Sequence, residues 1–175
     1  MVLSGKRSFV YHADIKGAFL TGKRMEVLRA IVEKKGREAI TVVTTMDAFL
    51  DGLPSKEELC GNRIKIHAEE ALDFQKLQEN LSILGYEREN QVESPGQFAV
   101  RGGILDVFPL TEENPVRIEL WGDEVDSIRS FDVESQRSTE NLQEIEIYPA
   151  TENWKQMETE SFLAYFPVKE TILFL

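Results

Sequence analysis

With 175 residues, the chain is long enough to bury a core as one domain or two small ones. Its formal net charge of -11 excludes a general nucleic-acid binder, whose affinity comes from neutralising phosphates with lysine and arginine. A single cysteine, Cys60, excludes an internal disulfide and suits a structural thiol in a reducing cytosol. No apolar run approaches the roughly 20 residues that span a bilayer, and the start lacks the apolar core of a signal peptide, so a cytoplasmic location and no membrane contact are expected. The acidity is uneven: residues 1–90 hold 14 basic and 14 acidic residues, whereas residues 91–175 hold 6 and 17. In so acidic a half, arginines read as placed features rather than as a basic coat.

In chain order, Met1 to Ala18 reads as an extended lead-in with one short strand over Ser8 to Tyr11. Thr21 to Lys35 places Met25, Leu28, Ile31 and Val32 at helical spacing. Lys34 and Lys35 suit the negative end of the helix dipole, and Gly36 is the stop. The β-branched run Ala39 to Thr45 predicts a strand buried on both faces of a mostly parallel sheet. A helix over Met46 to Leu50, a loop at Gly52-Leu53-Pro54 and a strand over Arg63 to His67 follow. The helix over Asp73 to Leu84 carries Phe74, Leu77 and Leu81 as its apolar stripe, and Gly85 closes it.

After a connection from Tyr86 to Val92, the stretch from Pro95 to Asp132 breaks into short alternating segments separated by glycine, proline or acidic turns. Phe98 and Val100 take one side, Ala99 and Arg101 the other. Gly102-Gly103 permits a bend or bulge, after which Ile104, Asp106 and Phe108 oppose Leu105 and Val107. Val116, Ile118 and Leu120 are core candidates, with Arg117, Glu119 and Trp121 facing outward. Gly122-Asp123-Glu124 turns into a strand from Val125 to Asp132, which completes an antiparallel meander with one wet face. Leu142 to Tyr148 is a last strand of this region; a helix over Met157 to Phe166, ended by Pro167, and an apolar strand over Thr171 to Leu175 follow. A core-type strand with no turn after it raises the expectation of a piece of a longer protein.

The expected fold class is α/β: an incomplete α/β layer made from both chain ends, with an inserted β-rich α+β module that contains the meander. The expected divisions are 1–72, 73–150 and 151–175. Arg101, Arg117 and Glu119 project from neighbouring strands on one side. They form either a solvated face with ordinary cross-strand ion pairs or a docking surface for a partner of complementary charge.

Nothing in the sequence carries catalysis. No stretch matches GxxxxGK[ST], and Gly22-Lys23-Arg24 is only a faint echo of it. His12 and His67 have no neighbouring ligand pattern and read as structural. Asp123, Glu124 and Asp126 fit turn and strand-end roles better than a cation loop. For Trp121 and Trp154, packing at a strand end is the default and an exposed anchor the alternative.

The run FAVRGGILDVFP followed by PVRIELWGDEVDSIRSFD resembles the segment shared by the excinuclease protein UvrB and the bacterial transcription-repair coupling factors, in the module that binds the excinuclease protein UvrA. VRGGILDVFP, FDVESQRS and IEIYPATE resemble the coupling factors more closely; a damage-binding fragment of a UvrB-like protein is the alternative. The resemblance implies that the α/β layer is part of a helicase-like domain. It implies no cofactor for this fragment, with ATP and magnesium serving the motor of the full-length protein. It also implies that RNA polymerase and DNA are met by other domains, and that a C-terminal domain covers the docking face at rest. The implied partner-binding residues are Arg88 in GYEREN, Arg101, Arg117 and Glu119, with Ala99 standing where the resemblance implies a further arginine.

Overall fold

The computed structural model describes residues 2–3, 13–33, 41–50, 52–151 and 159–166. The chain divides into two compact units, Met1–Gly61 with Glu152–Leu175, and Asn62–Thr151. The break precedes the strand expected over Arg63 to His67, whereas the sequence pattern puts it after residue 72. The physical reason is that this strand pairs with one near the end of the second unit.

In the first unit, β1 (Val2–Leu3) and β2 (Val43–Thr44) pair in parallel. α1 (Ala13–Val32) begins well before Thr21, so residues 13–18 are helical and not the extended lead-in expected. Gly17 and Gly22 lower helix propensity by about 1 kcal/mol each relative to alanine, which hides the first turns from a reading of the sequence. Met25, Leu28 and Ile31 are buried as their spacing predicts, whereas Val32 is half-buried. β2 departs from expectation: Val43 is exposed, so this strand is not buried on both faces. α2 (Met46–Leu50) lies where the pattern predicts it. α3 (Lys56–Gly61) is an addition to the predicted elements, although Ser55 and Glu58 form a capping box. The Glu58 N–H donates to the Ser55 hydroxyl and the Ser55 N–H to the Glu58 carboxylate, both at 3.1 Å.

Of the helix expected over Met157 to Phe166, residues 157–158 lie outside the described residues, and residues 159–166 form only a 3-10 turn at Phe162–Tyr165. Glu160 is instead extended and bridges Leu53, and the Tyr165 hydroxyl donates to the Pro54 carbonyl. The expectations for Ser8 to Tyr11, Lys34 to Gly36, Trp154 and Thr171 to Leu175 lie outside the described residues.

In the second unit, β3 (Ile64–His67) is followed by α4 (Phe74–Ile83). The Asp73 carboxylate caps α4 by accepting from the Lys76 N–H at 2.9 Å. Leu77 and Leu81 are buried and Phe74 half-buried. Gly85 leaves the helix at φ +88, a conformation that a Cβ disfavours. Six strands then form one sheet in sequence order: β4 (Glu87–Arg88), β5 (Gln97–Arg101), β6 (Ile104–Val107), β7 (Val116–Trp121), β8 (Glu124–Phe131) and β9 (Ser138–Leu142). All neighbours are antiparallel except β4 and β5. β10 (Glu144–Ile147) leaves that sheet and pairs antiparallel with β3.

One face of the six-stranded sheet is apolar. Phe98, Leu105, Val107, Val116, Ile118 and Ile128 are all buried, and register puts them on one side. The buried Tyr86 hydroxyl donates to the Tyr148 carbonyl at 2.8 Å and ties the end of α4 to the strand end after β10. Burial pushes this phenol well above its ordinary range. Its folded pKa is raised, so the stability it contributes is whole below the unfolded value of about 10 and is lost as pH rises toward the folded value. Tyr86→Phe is expected to cost about 1 kcal/mol at neutral pH. Urea unfolding from neutral to alkaline pH should show stability falling more steeply above about pH 10 in the parent than in this variant.

Candidate functional site

The opposite face of the sheet carries the charge. In-register partners point to the same side, so Ala99, Asp106, Arg117 and Arg129 form one row across β5 to β8. Arg101, Ile104, Glu119 and Ser127 form the next. Arg101, Arg117 and Glu119 thus lie together on one face, as alternation along each strand requires.

This face is not uniformly wet, which corrects the expectation of a solvated surface. Ala99 is covered in a cluster with Val92 and Phe108, with Val133 packed against it. The position where an arginine was implied is therefore filled by apolar packing. Asp106 is 2% exposed and collects both neighbouring arginines. Arg117 donates to it through Nε at 2.7 Å and Nη2 at 2.9 Å, a bidentate fork. Arg101 donates through Nη2 at 2.7 Å.

The Arg117 side chain is only 17% exposed. Its guanidinium stacks 4.6 Å from the Phe131 ring centroid, and Nη2 also reaches Gln136 Oε1 at 3.3 Å. The bonded Asp106 carboxylate pushes the Arg117 pKa further up, so the cation is permanent. Arg101, by contrast, keeps 49% of its side chain exposed.

Glu119 is held by the Arg129 guanidinium and accepts from the Ser127 hydroxyl at 3.3 Å. Arg129 escapes a reading of the sequence because a bulge breaks the period of β8. Leu120 pairs with Val125 and Glu119 with Ser127, leaving Asp126 unopposed. The signal that could have found it is the spacing of Val125 and Ile128, buried residues three apart where alternation allows two or four.

Because Leu120 and Val125 return to the core side after the bulge, Trp121 shares the face of Glu119. It is 83% exposed, which overturns the expectation that it packs at the strand end. It is the last residue of β7 on the outer face, and Gly122, at φ +64, turns the chain directly after it.

Arg88 is exposed but does not join these residues. Its partner in register is Phe98, whose ring points into the core, so Arg88 lies on the other side of the sheet edge. His67 Nδ1 lies 3.2 Å from Glu144, and the Asp123 carbonyl accepts from the Leu72 N–H at 2.7 Å. Among the described residues, no group of three or more His, Cys, Asp or Glu side chains is placed to hold a metal ion. No helix there is long and apolar enough to cross a membrane.

A mainly antiparallel sheet, with an apolar face beneath and a network of arginines and carboxylates above, defines a small α/β domain. The family model of the UvrB interaction domain matches residues 64–153, and the chain belongs to that family. The chain is 42% identical over 133 residues to the transcription-repair-coupling factor of Bacillus subtilis (strain 168), a match over 76% of the chain and 11% of that protein. It is 37% identical over the same length and shares to the transcription-repair-coupling factor of Staphylococcus aureus (strain bovine RF122 / ET3-1). It therefore spans about a ninth of the length of these relatives.

Proposed function

We propose that the chain is a protein-docking module of transcription-coupled repair, which recruits UvrA through the face bearing Arg101, Arg117, Glu119 and Trp121. The carrying observation is that a half-exposed arginine and a bare tryptophan share one face of the sheet, in a member of the UvrB interaction domain family. Arginine supplies a geometrically fixed cation and tryptophan a large apolar contact, and both residue types are enriched at binding hot spots. The longer protein is read as an ATP-dependent DNA translocase, with ATP and magnesium at its motor, acting in the cytoplasm on stalled RNA polymerase. The α/β layer is read as part of its helicase-like domain, and another domain as covering the docking face at rest. Arg88, on the other side of the sheet edge, would lie at most at the margin of such a contact.

Isothermal titration calorimetry of the chain against purified UvrA tests this reading. Saturable binding at micromolar concentrations is expected, and its absence refutes the proposal. Trp121→Ala should weaken that binding by about tenfold or more, while the free energy of unfolding moves by less than about 0.5 kcal/mol because the indole touches so little.

A further inference from the structure

We propose that Asp106 is a positioning residue of this face: it presets the Arg101 guanidinium so that the free donors Nε and Nη1 meet a carboxylate on an acidic partner surface. The inference rests on the docking reading of the face. A buried carboxylate is an expensive way to fill space, since apolar residues of similar volume generally serve stability as well. Arg117 alone, bidentate on Asp106, already neutralises it. The third bond, to Arg101, adds little that burial requires, yet it fixes the head of a side chain that is half exposed.

Local charge also singles out Arg101. Within the two rows, Asp106 is matched by Arg117 and Glu119 by Arg129, which leaves the Arg101 cation with no carboxylate of its own there. Among the described residues, Asp106 is its one hydrogen-bond partner, through Nη2, so the rest of the fork stays available. The apolar cluster of Val92, Ala99 and Phe108, with Val133 beside it, packs on the same side of the sheet. Exclusion of water strengthens the bonds to the carboxylate. An arginine already held in one geometry loses less freedom when a partner arrives than one that is free to rotate.

The test uses the whole chain and purified UvrA. Asp106→Asn keeps the shape and one acceptor oxygen but removes the charge. It should raise the Kd about three- to tenfold. In an Arg101→Ala background the same change should move the Kd by less than about twofold, because the residue acts through Arg101. Equal losses in both backgrounds overturn the positioning role. So does Arg101→Ala weakening binding while Asp106→Asn leaves it unchanged, an outcome that spares the docking reading. If neither variant alters binding, both fall. Should Asp106→Asn fail to fold, nitrogen-15 relaxation at Arg101 Nε in the unaltered free chain decides: an order parameter above about 0.6 is expected, and a lower value refutes the inference.

Discussion

Arg117→Met is expected to destabilise the unit containing residues 62–151 by about 3–5 kcal/mol, the cost of removing one partner from a buried ion pair. Asp106 is 2% exposed and would be left with the single Nη2 of Arg101 in place of three donated bonds. Methionine keeps most of the stem and a favourable contact with the Phe131 ring, so the loss reports the stranded carboxylate rather than a cavity. The double variant Asp106→Leu with Arg117→Met should recover most of that stability, since a well-packed apolar pair replaces a buried ion pair at little cost. Urea unfolding followed by circular dichroism measures both. A single-variant loss below about 1 kcal/mol would mean that water reaches Asp106 and that the network is an ordinary surface one.

Arg101→Glu is expected to weaken association with UvrA by about 2–5 kcal/mol, between roughly 30-fold and several thousandfold in Kd. The substitution removes the half-exposed cation that shares Asp106 with Arg117. It also sets a second carboxylate beside Asp106, so an acidic partner meets repulsion where it met a preset donor. Folding should change far less than binding, because half of the Arg101 side chain is in water. Titration calorimetry, with the unfolding midpoint as control, separates the two. Raising the salt should slow association of the parent more than that of the variant. An unchanged Kd removes Arg101 from the interface.

Much of this face is legible in the sequence. Alternation along Phe98 to Arg101, Ile104 to Phe108 and Val116 to Glu119 sorts each strand into a core side and an outer side, because side chains repeat every two residues in a strand. The hairpins join these strands in register, and the sorted sides agree across all three. Arg101, Arg117 and Glu119 are therefore found together. Arg88, implied by the resemblance alone, has no alternation to place it, because its strand is two residues long and pairs in parallel with β5. Arg129 is hidden by one unopposed residue, Asp126, which reverses the sides of everything after it. Alternation turns Trp121 outward, but its exposure depends on what covers the outer face at the end of β7, which its residue type does not reveal.

The order of the strands in the meander, the residues that each turns outward and the sparing placement of cations among acidic residues all follow from the amino-acid order alone. What those outward residues do to one another follows from the way the strands come together. Asp106 is an ordinary carboxylate in ILDVF; register with Arg117, the reach of Arg101 and an apolar cluster on the same side turn it into the buried anchor of the face. The physical reason is that periodicity is local to one strand, whereas register, bulges and burial arise between segments far apart in the chain.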